Sequence, residues 1–538
     1  MLQPDLANLA EPLLNMKNIQ GLAIPGLLKP HQTLVGIQIP VGLEPKFKAL
    51  LSKLSVHVAT AAEVLQDRRD FRRRRAAAGS RFYSRSAEHS SVFVGVGFAH
   101  SGLVRLTPGA AYINSEAFRL GLPARSSLLG DPTDPAAEGN PNNWVVGAPD
   151  SPLDALFVVA GDHRSVVTAK ANELADLCRK AGMHVPYTED GDVREGDERG
   201  HEHFGFEDGV SQPGIRGRAS DAPDDFVTDR YVEPSEVPEA ELFGYPGQYL
   251  IWPGELVLGY SRTSPDPLIP GPVASMTPTW TMDGSFLVFR RLRQDVGLFW
   301  RTMRDVAAEL AVLPGFAGIT DVHLASRLVG RWPSGAPFNR TPTKDDAALG
   351  GEARANNYFY FESDTPPLAI KDFVDTFPAA KADPAGVTCP WAAHIRKVNV
   401  RDAGSDMGAN ESTFNRRLLR TGAPFGKGLA DRYAEISDDP ERGNRGLLFL
   451  SIQSSIEDQF EFLMARWAND SSRPKTPGGN DMIIGQNSPV PDGIRRCTIF
   501  GSGLQQAELS AASQWVIPTG GGYFFVPSIA ALREVISQ

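Results

Sequence analysis

Two hydrophobic rhythms alternate along the chain. Leu34 to Ile39 (LVGIQI) is a continuous apolar run that predicts a buried strand, and Phe47, Leu50, Leu51, Leu54 and Val58 then recur at helical spacing, with Pro45 suited to the first turn. Ser91 to Phe98 (SVFVGVGF) and Ala155 to Ala160 (ALFVVA) predict two more strands across a Gly/Pro/Asn-rich loop around Gly130 to Asn143, and the second leads into a helix ending near Cys178. The theme returns later in different letters. Ser285 to Leu292 is a strand, Val296, Phe299, Met303 and Val306 mark a helix, Gly446 to Gln453 (GLLFLSIQ) is a strand, and Ile456, Phe460, Leu463 and Trp467 share one helical stripe. A last strand, Tyr523 to Val526, precedes a terminal helix.

This order predicts an α+β fold of two ferredoxin-like halves, with mostly antiparallel sheets, helices outside and a pocket between sheet and helices. The halves are drawn at residues 1–225 and 281–538, joined by a Pro-rich segment at 226–280. The stretch from Gly330 to Pro390, with its Pro, Gly and Asn clusters, is an insertion that covers the pocket or the surface.

Composition narrows the classes. With 538 residues, 41% hydrophobic and 22% charged, the chain is globular, and its formal charge of −10 argues against a protein that tracks nucleic-acid phosphates. The run Arg72 to Arg75 reads as a solvated loop, with a polyanion-binding patch as the alternative. Three scattered cysteines without a CxxC exclude a disulfide framework and a cysteine metal site, and fit a reducing compartment. No basic-then-apolar leader and no run near ~18 apolar residues is read, so the expectation is a cytoplasmic protein that engages neither membrane nor nucleic acid.

Four segments carry candidate chemistry. In HEHFGFEDGVSQPG (His201 to Gly214) an acid lies between glycines; Asp208 is either a carboxylate aimed into a cavity or a turn residue bonding its own backbone. The neighbouring His201 and His203 would need a third, distant ligand to hold a metal. CPWAAHIRKVNVR (Cys389 to Arg401) sets His394 among Arg396, Lys397 and Arg401, cations that favour the neutral, ligating imidazole, although a lone histidine is more often structural. In FNRRLLRTGAPFG (Phe414 to Gly426) Arg420 precedes a Gly-Ala-Pro turn, where a surface ion pair is the default reading. In GLLFLSIQ, Leu447 and Phe449 share a face by period two, and Glu457 with Asp458 opens the next helix, where acids complement the helix dipole without any chemical role.

Taken together, these segments resemble the dye-decolorising peroxidase family: GFEDGVSQP is similar to its GxxDG loop, CPWAAHIRKVNVR to its proximal histidine segment and LLRTGAPFG to its distal arginine segment. Further similarity runs from NIQGL (Asn18 to Leu22) through PGELVLGY (Pro253 to Tyr260) to GGGYFFVPS (Gly520 to Ser528), covering nearly the whole chain, and its length resembles the longer bacterial and fungal-like members. The resemblance implies a haem peroxidase with one haem b per chain in the C-terminal half. It implies His394 as axial iron ligand, Asp208 and Arg420 as the pair activating hydrogen peroxide, Arg401 beside a haem propionate, and Leu447 and Phe449 as the distal wall. Glu457 best matches the family's proximal acid, with Asp458 adjoining.

The partners so implied are hydrogen peroxide and aromatic one-electron donors such as dyes or phenols, in a monomer or homodimer. Donors too bulky for a peroxide-sized cavity would be oxidised at the surface, with Trp391 either a radical site or a packed aromatic. Two other readings are a haem-handling protein without fast turnover, and a metal-dependent hydrolase built on His201 and His203.

Overall fold

A computed structural model describes residues 11–79, 90–233, 239–476 and 478–538. Its main sheet uses four strands from the first half, β1 His31–Gln38, β2 Val92–Phe98, β3 Ala155–Gly161 and β4 His184–Asp192. Five come from the second: β5 Ser285–Gln294, β6 Leu419–Arg420, β7 Ala423–Phe425, β8 Gly446–Gln453 and β9 Val516–Val526. The strand order is β6–β8–β5–β9–β2–β3–β1–β4, with β7 also paired to β8, and every pairing is antiparallel. Each half therefore repeats one arrangement, with β1 and β3 central in the first and β5 and β8 central in the second, as in a ferredoxin-like unit. Phe525 opposite Phe98 joins the halves.

The far edges also meet. A Cβ built on Gly191 of β4 would lie 3.0 Å from Ala423 Cβ of β7, and Arg291 of β5 reaches Glu189 of β4 at 2.8 Å, so the sheet curls toward a barrel. Alternation then sorts the core. Leu34, Leu156, Val158, Leu287, Phe289, Leu448 and Leu450 form one buried cluster on one face, while Val35, Ile37, Phe157 and Val159 form another with residues of helices α1 (Glu44–Leu54) and α3 (Arg164–Lys180).

Between them, α2 (Ala61–Ala78) starts at a capping box in which Thr60 and Glu63 exchange bonds of 2.7 and 3.2 Å. The run Arg72 to Arg75 lies in this helix, not in a loop: Arg72 pairs with Asp229 and Arg73 with Asp70. In the second half α4 (Val296–Ala311) and α5 (Ile456–Ala468) follow β5 and β8, as α1 and α3 follow β1 and β3. Among the described residues no helix is long and apolar enough to cross a membrane.

Candidate active site

His394 opens the short helix His394–Lys397 at the end of a loop shaped by a buried carboxylate. Asp383 accepts the backbone N–H groups of Val387, Thr388 and Cys389 at 2.7, 3.2 and 2.8 Å. Arg396, fully buried, donates to the Cys389 and Asp383 carbonyls at 2.8 and 2.9 Å and lies 4.0 Å from the Trp391 ring centroid. Gly330, at φ +91°, makes room for the turn, because a Cβ there would meet Ile395 Cγ1 at 2.4 Å.

The ring of His394 is oriented by a residue that sequence reasoning missed. His394 Nδ1 lies 2.8 Å from Asp481 Oδ2, and the other oxygen of this fully buried carboxylate accepts from Ile483 N (2.9 Å) and Ile484 N (3.0 Å). Burial alone would raise the Asp481 carboxyl; the charge and hydrogen bond of His394 and the two backbone N–H groups outweigh it and hold the group below the usual carboxylate range. An ionised Asp481 keeps the proton on Nδ1 and leaves the lone pair on Nε2, the form that ligates a metal.

Glu457 is displaced from the role expected of it. It accepts from Ser115 Oγ (2.9 Å) and Ala117 N (2.8 Å), fastening the first turn of α5 to the start of the helix Glu116–Leu120. Asp458 is exposed, caps with Ser455 and faces Arg262 and Arg416. The physical reason is register: α5 leaves the sheet with its first turn against Ser115, and the chain returns to His394 only after α5, through the loop holding Asp481. The signal in the sequence was faint, a single acid between GGN and MII, 87 residues from its partner.

On the other side, Arg420 is tied to the loop that carries Asp208 through Ser211 and Gln212. Arg420 Nη2 donates to Ser211 O at 2.7 Å, and Arg420 and Gln212 exchange two bonds, N to Oε1 at 3.2 Å and Nε2 to O at 3.1 Å. Asp208 is exposed, and its Oδ1 accepts Gly209 N at 2.6 Å, with Gly209 at φ +74°. The structure thus shows the turn-making role of Asp208, with Oδ1 bound to its own backbone. Behind the loop, Glu202 accepts from Phe204 N (2.8 Å), Phe206 N (2.9 Å) and the Gln294 amide; burial, reinforced by Asp208, raises its carboxyl in spite of those bonds. His203 is buried against Phe425 O at 2.8 Å and is pulled down to about 4 by burial. Among the described residues no group of three or more His, Cys, Asp or Glu is arranged to hold a metal.

Near Arg420 lies a group of buried arginines, Arg331, Arg401 and Arg417. Arg401, at φ +55°, spends its terminal nitrogens on Asn357 O (2.9 Å), Asn357 Oδ1 (2.7 Å) and Phe359 O (3.3 Å), so the bidentate fork expected for a propionate is turned to the protein and only Nε is unpartnered. Arg331 shares the same Asn357 Oδ1 at 3.0 Å. Arg417, which sequence reasoning passed over, leaves Nε and Nη2 buried without partners. Burial pulls Arg401 and Arg417 down to about 10 and Arg331 to about 9, the last helped by the charge of Arg401. Buried guanidinium N–H groups left without a partner, as on Arg417 and Arg401, are costly.

Leu447 and Phe449 stand on the face of β8 opposite the fully buried Leu448 and Leu450, are only partly covered, and Phe449 lies 6.0 Å from the Phe460 ring of α5. An imidazole with its Nε2 lone pair free to ligate, unpartnered buried arginine N–H groups and incompletely covered apolar side chains fit a flat apolar macrocycle carrying carboxylates and a metal.

Comparison with known proteins places the chain in a family. The family model of the DyP dimeric alpha+beta barrel domain matches residues 18–195. Dye-decolorizing peroxidase msp1 of Mycetinis scorodonius is 30% identical over 420 residues, 77% of this chain and 71% of that protein. The multifunctional dye peroxidase DyP2 of Amycolatopsis sp. is 29% identical over 452 residues, 82% of each chain. Among solved structures, an ancestral D-type dye decolorizing peroxidase superposes with a TM-score of 0.73 at 32% identity, covering 98% of this chain and 100% of that one. A dye-decolorizing peroxidase in complex with 2,6-dimethoxyphenol gives 0.69 at 26% identity, covering 98% and 100%. Likeness in sequence and fold along most of the chain, from the first ferredoxin-like half through the histidine, aspartate and arginine segments, leads to one conclusion: the chain belongs to the dye-decolorising peroxidase family, and it is a peroxidase.

Proposed function

We propose that this peroxidase works through one haem b per chain, held at iron by His394 Nε2, and that it reduces hydrogen peroxide while oxidising dyes, phenols or related aromatic donors. The observation that carries the reading is the hydrogen bond from His394 Nδ1 to the buried Asp481, which fixes the tautomer and ring angle that a metal needs. Arg417 Nε and Nη2 and Arg401 Nε would receive the propionates, and Leu447 and Phe449 would face the ring. The division at residues 225 and 281 keeps these haem-facing groups in the second half, while the first contributes the loop bearing Asp208.

When bound, haem supplies the iron at which the peroxide bond is broken and from which donors are oxidised one electron at a time. The chain's own part is proton transfer and charge stabilisation. Asp208 Oδ1 is occupied by Gly209 N, so Oδ2 takes the proton from the inner peroxide oxygen and returns it to the outer one, which leaves as water. Arg420, anchored through Ser211 O and Gln212, holds its guanidinium where negative charge develops on the departing oxygen. Exposure of Asp208 suits a group that peroxide must reach from solvent. A 2,6-dimethoxyphenol-type donor is the natural first reductant to try. Three buried, unpaired cysteines support placing the enzyme in a reducing compartment such as the cytoplasm.

One equivalent of hydrogen peroxide added to the haem-loaded protein tests the reading. A rapid change of the Soret band, reversed by the phenol with its oxidation, is expected; a band indifferent to peroxide would leave haem binding without peroxidase chemistry.

A further inference from the structure

We propose that Lys397 is a positioning residue for the proximal pair: its buried ammonium, clasped by the loop that delivers Asp481, sets how strongly Asp481 draws on the Nδ1 proton of His394. The inference rests on the reading of His394 as the iron ligand.

Lys397 is fully buried at the end of the same short helix as His394. Its Nζ donates to the carbonyl oxygens of Asp470 (2.8 Å), Arg473 and Gly479. All three belong to the loop that leaves α5 and returns to Asp481, whose N–H closes the loop on Ala468 O at 2.9 Å. Three acceptors around one nitrogen call for three N–H donors, so the site is built for the ammonium and not for the amine. Burial draws the group down to about 8, and Asp481 is the largest charge opposing that.

A second cation guards the other flank. Arg495, also fully buried, donates to Met482 O (2.6 Å), Gly485 O (3.0 Å) and Asn487 Oδ1 (2.6 Å), just beyond Asp481 in the chain. Neither cation takes an Asp481 oxygen, since those oxygens serve His394, Ile483 and Ile484. Asp481 therefore sits in a positive field without being neutralised by a direct ion pair. In a water-poor interior such a field is weakly screened. It draws on the carboxylate's charge, weakens its pull on the Nδ1 proton, and leaves less electron density for His394 to pass to iron.

The test is the iron–imidazole stretching frequency of the ferrous haem-loaded protein, by resonance Raman, together with the haem midpoint potential. Both are measured in wild type, Lys397→Gln and Lys397→Arg, each with and without Asp481→Asn. Glutamine keeps N–H donors for the loop and removes the charge, so Lys397→Gln should raise the frequency and lower the potential, opposite to Asp481→Asn. Lys397→Arg keeps the charge and should match wild type, and the glutamine shift should vanish in the Asp481→Asn background. No shift in Lys397→Gln overturns the proposal. So does an equal shift in both Lys397 variants, or a shift that persists without the Asp481 carboxylate, because each points to packing and not to charge acting through Asp481. Where the glutamine variant does not fold, the arginine variant decides: wild-type values are expected, and a shift as large as that of Asp481→Asn overturns the idea. A band that survives His394→Ala removes the ligand assignment itself, whereas a band that needs His394 but ignores Lys397 removes only this proposal.

Discussion

The two sides of the candidate site are built to opposite specifications. On the proximal side the polar groups around His394 are bound mostly within the chain: Asp481 is fully buried with three donors, and Arg396, Lys397 and Arg495 are buried and spent largely on backbone carbonyls, with Arg396 Nε left over. On the distal side Asp208 is exposed on a glycine turn, and Arg420 is anchored through one guanidinium bond to a carbonyl and a backbone exchange with Gln212. A metal ligand must hold one orientation through many turnovers, so it is gripped by contacts distant in sequence. A group that meets a small substrate must stay reachable, so its loop is held by its backbone while the side chain keeps an unused atom.

That contrast predicts where damage is kinetic and where it is structural. Asp208→Asn should be the most severe kinetic change, slowing the peroxide reaction by about 10²–10⁴-fold while leaving haem affinity near wild type, as stopped-flow and haem titration would show. Arg420→Leu follows, with a loss of about 10²–10³-fold in the same step. A variant at either position that loses haem as well would break the division between the sides.

Proximal changes should instead loosen the cofactor. Asp481→Asn is expected to weaken haem retention or activity by about 10–100-fold. Glu457→Gln should leave haem binding unchanged and cost only about 1 kcal/mol of thermal stability, through its bonds to Ser115 and Ala117. Equal haem losses in the two variants would return Glu457 to the role that its sequence position implied.

An effect away from the site concerns the strand that carries Leu447 and Phe449. Arg445, just before β8, is buried against Asp439, with Nη2 to Oδ1 at 2.8 Å, and this bond chiefly holds the Asp439 carboxyl down to about 2. A folded value below the ordinary 3.8 means that the unfolded chain binds more protons between the two values, so stability rises with pH there. The ionised carboxylate's contribution, about 2 kcal/mol shared between Arg445 and the Gly443 and Glu441 backbone, is present above about pH 4 and lost as pH falls through about 2. Arg445→Met should flatten that part of the acid-unfolding curve, and an unchanged curve would remove the pair from the account.

What could be read from the sequence divides along similar lines. β1, β2, β3, β5 and β8 carry long apolar runs because most of their residues are buried, and periodicity finds such strands. β4, HVPYTEDGD, was not legible: it lies at the end of the strand order and buries little beyond Tyr187 and Gly191. The arginines of α2 concealed a helix because its later turns bury almost nothing. At the site, Asp208, His394 and Arg420 stand in motifs with local turn chemistry, whereas Asp481 and Arg417 matter through contacts that only the folded chain creates. Glu457 was matched to the proximal acid through the family resemblance, and the folded chain instead bonds it to Ser115 and Ala117.

The most direct test of the account is haem titration, followed at the Soret band, of wild type, His394→Ala and Asp208→Asn. The account predicts stoichiometric binding with an iron–imidazole signature in wild type and Asp208→Asn, and loss of that signature in His394→Ala. A His394→Ala protein that binds haem with the wild-type spectrum would contradict it.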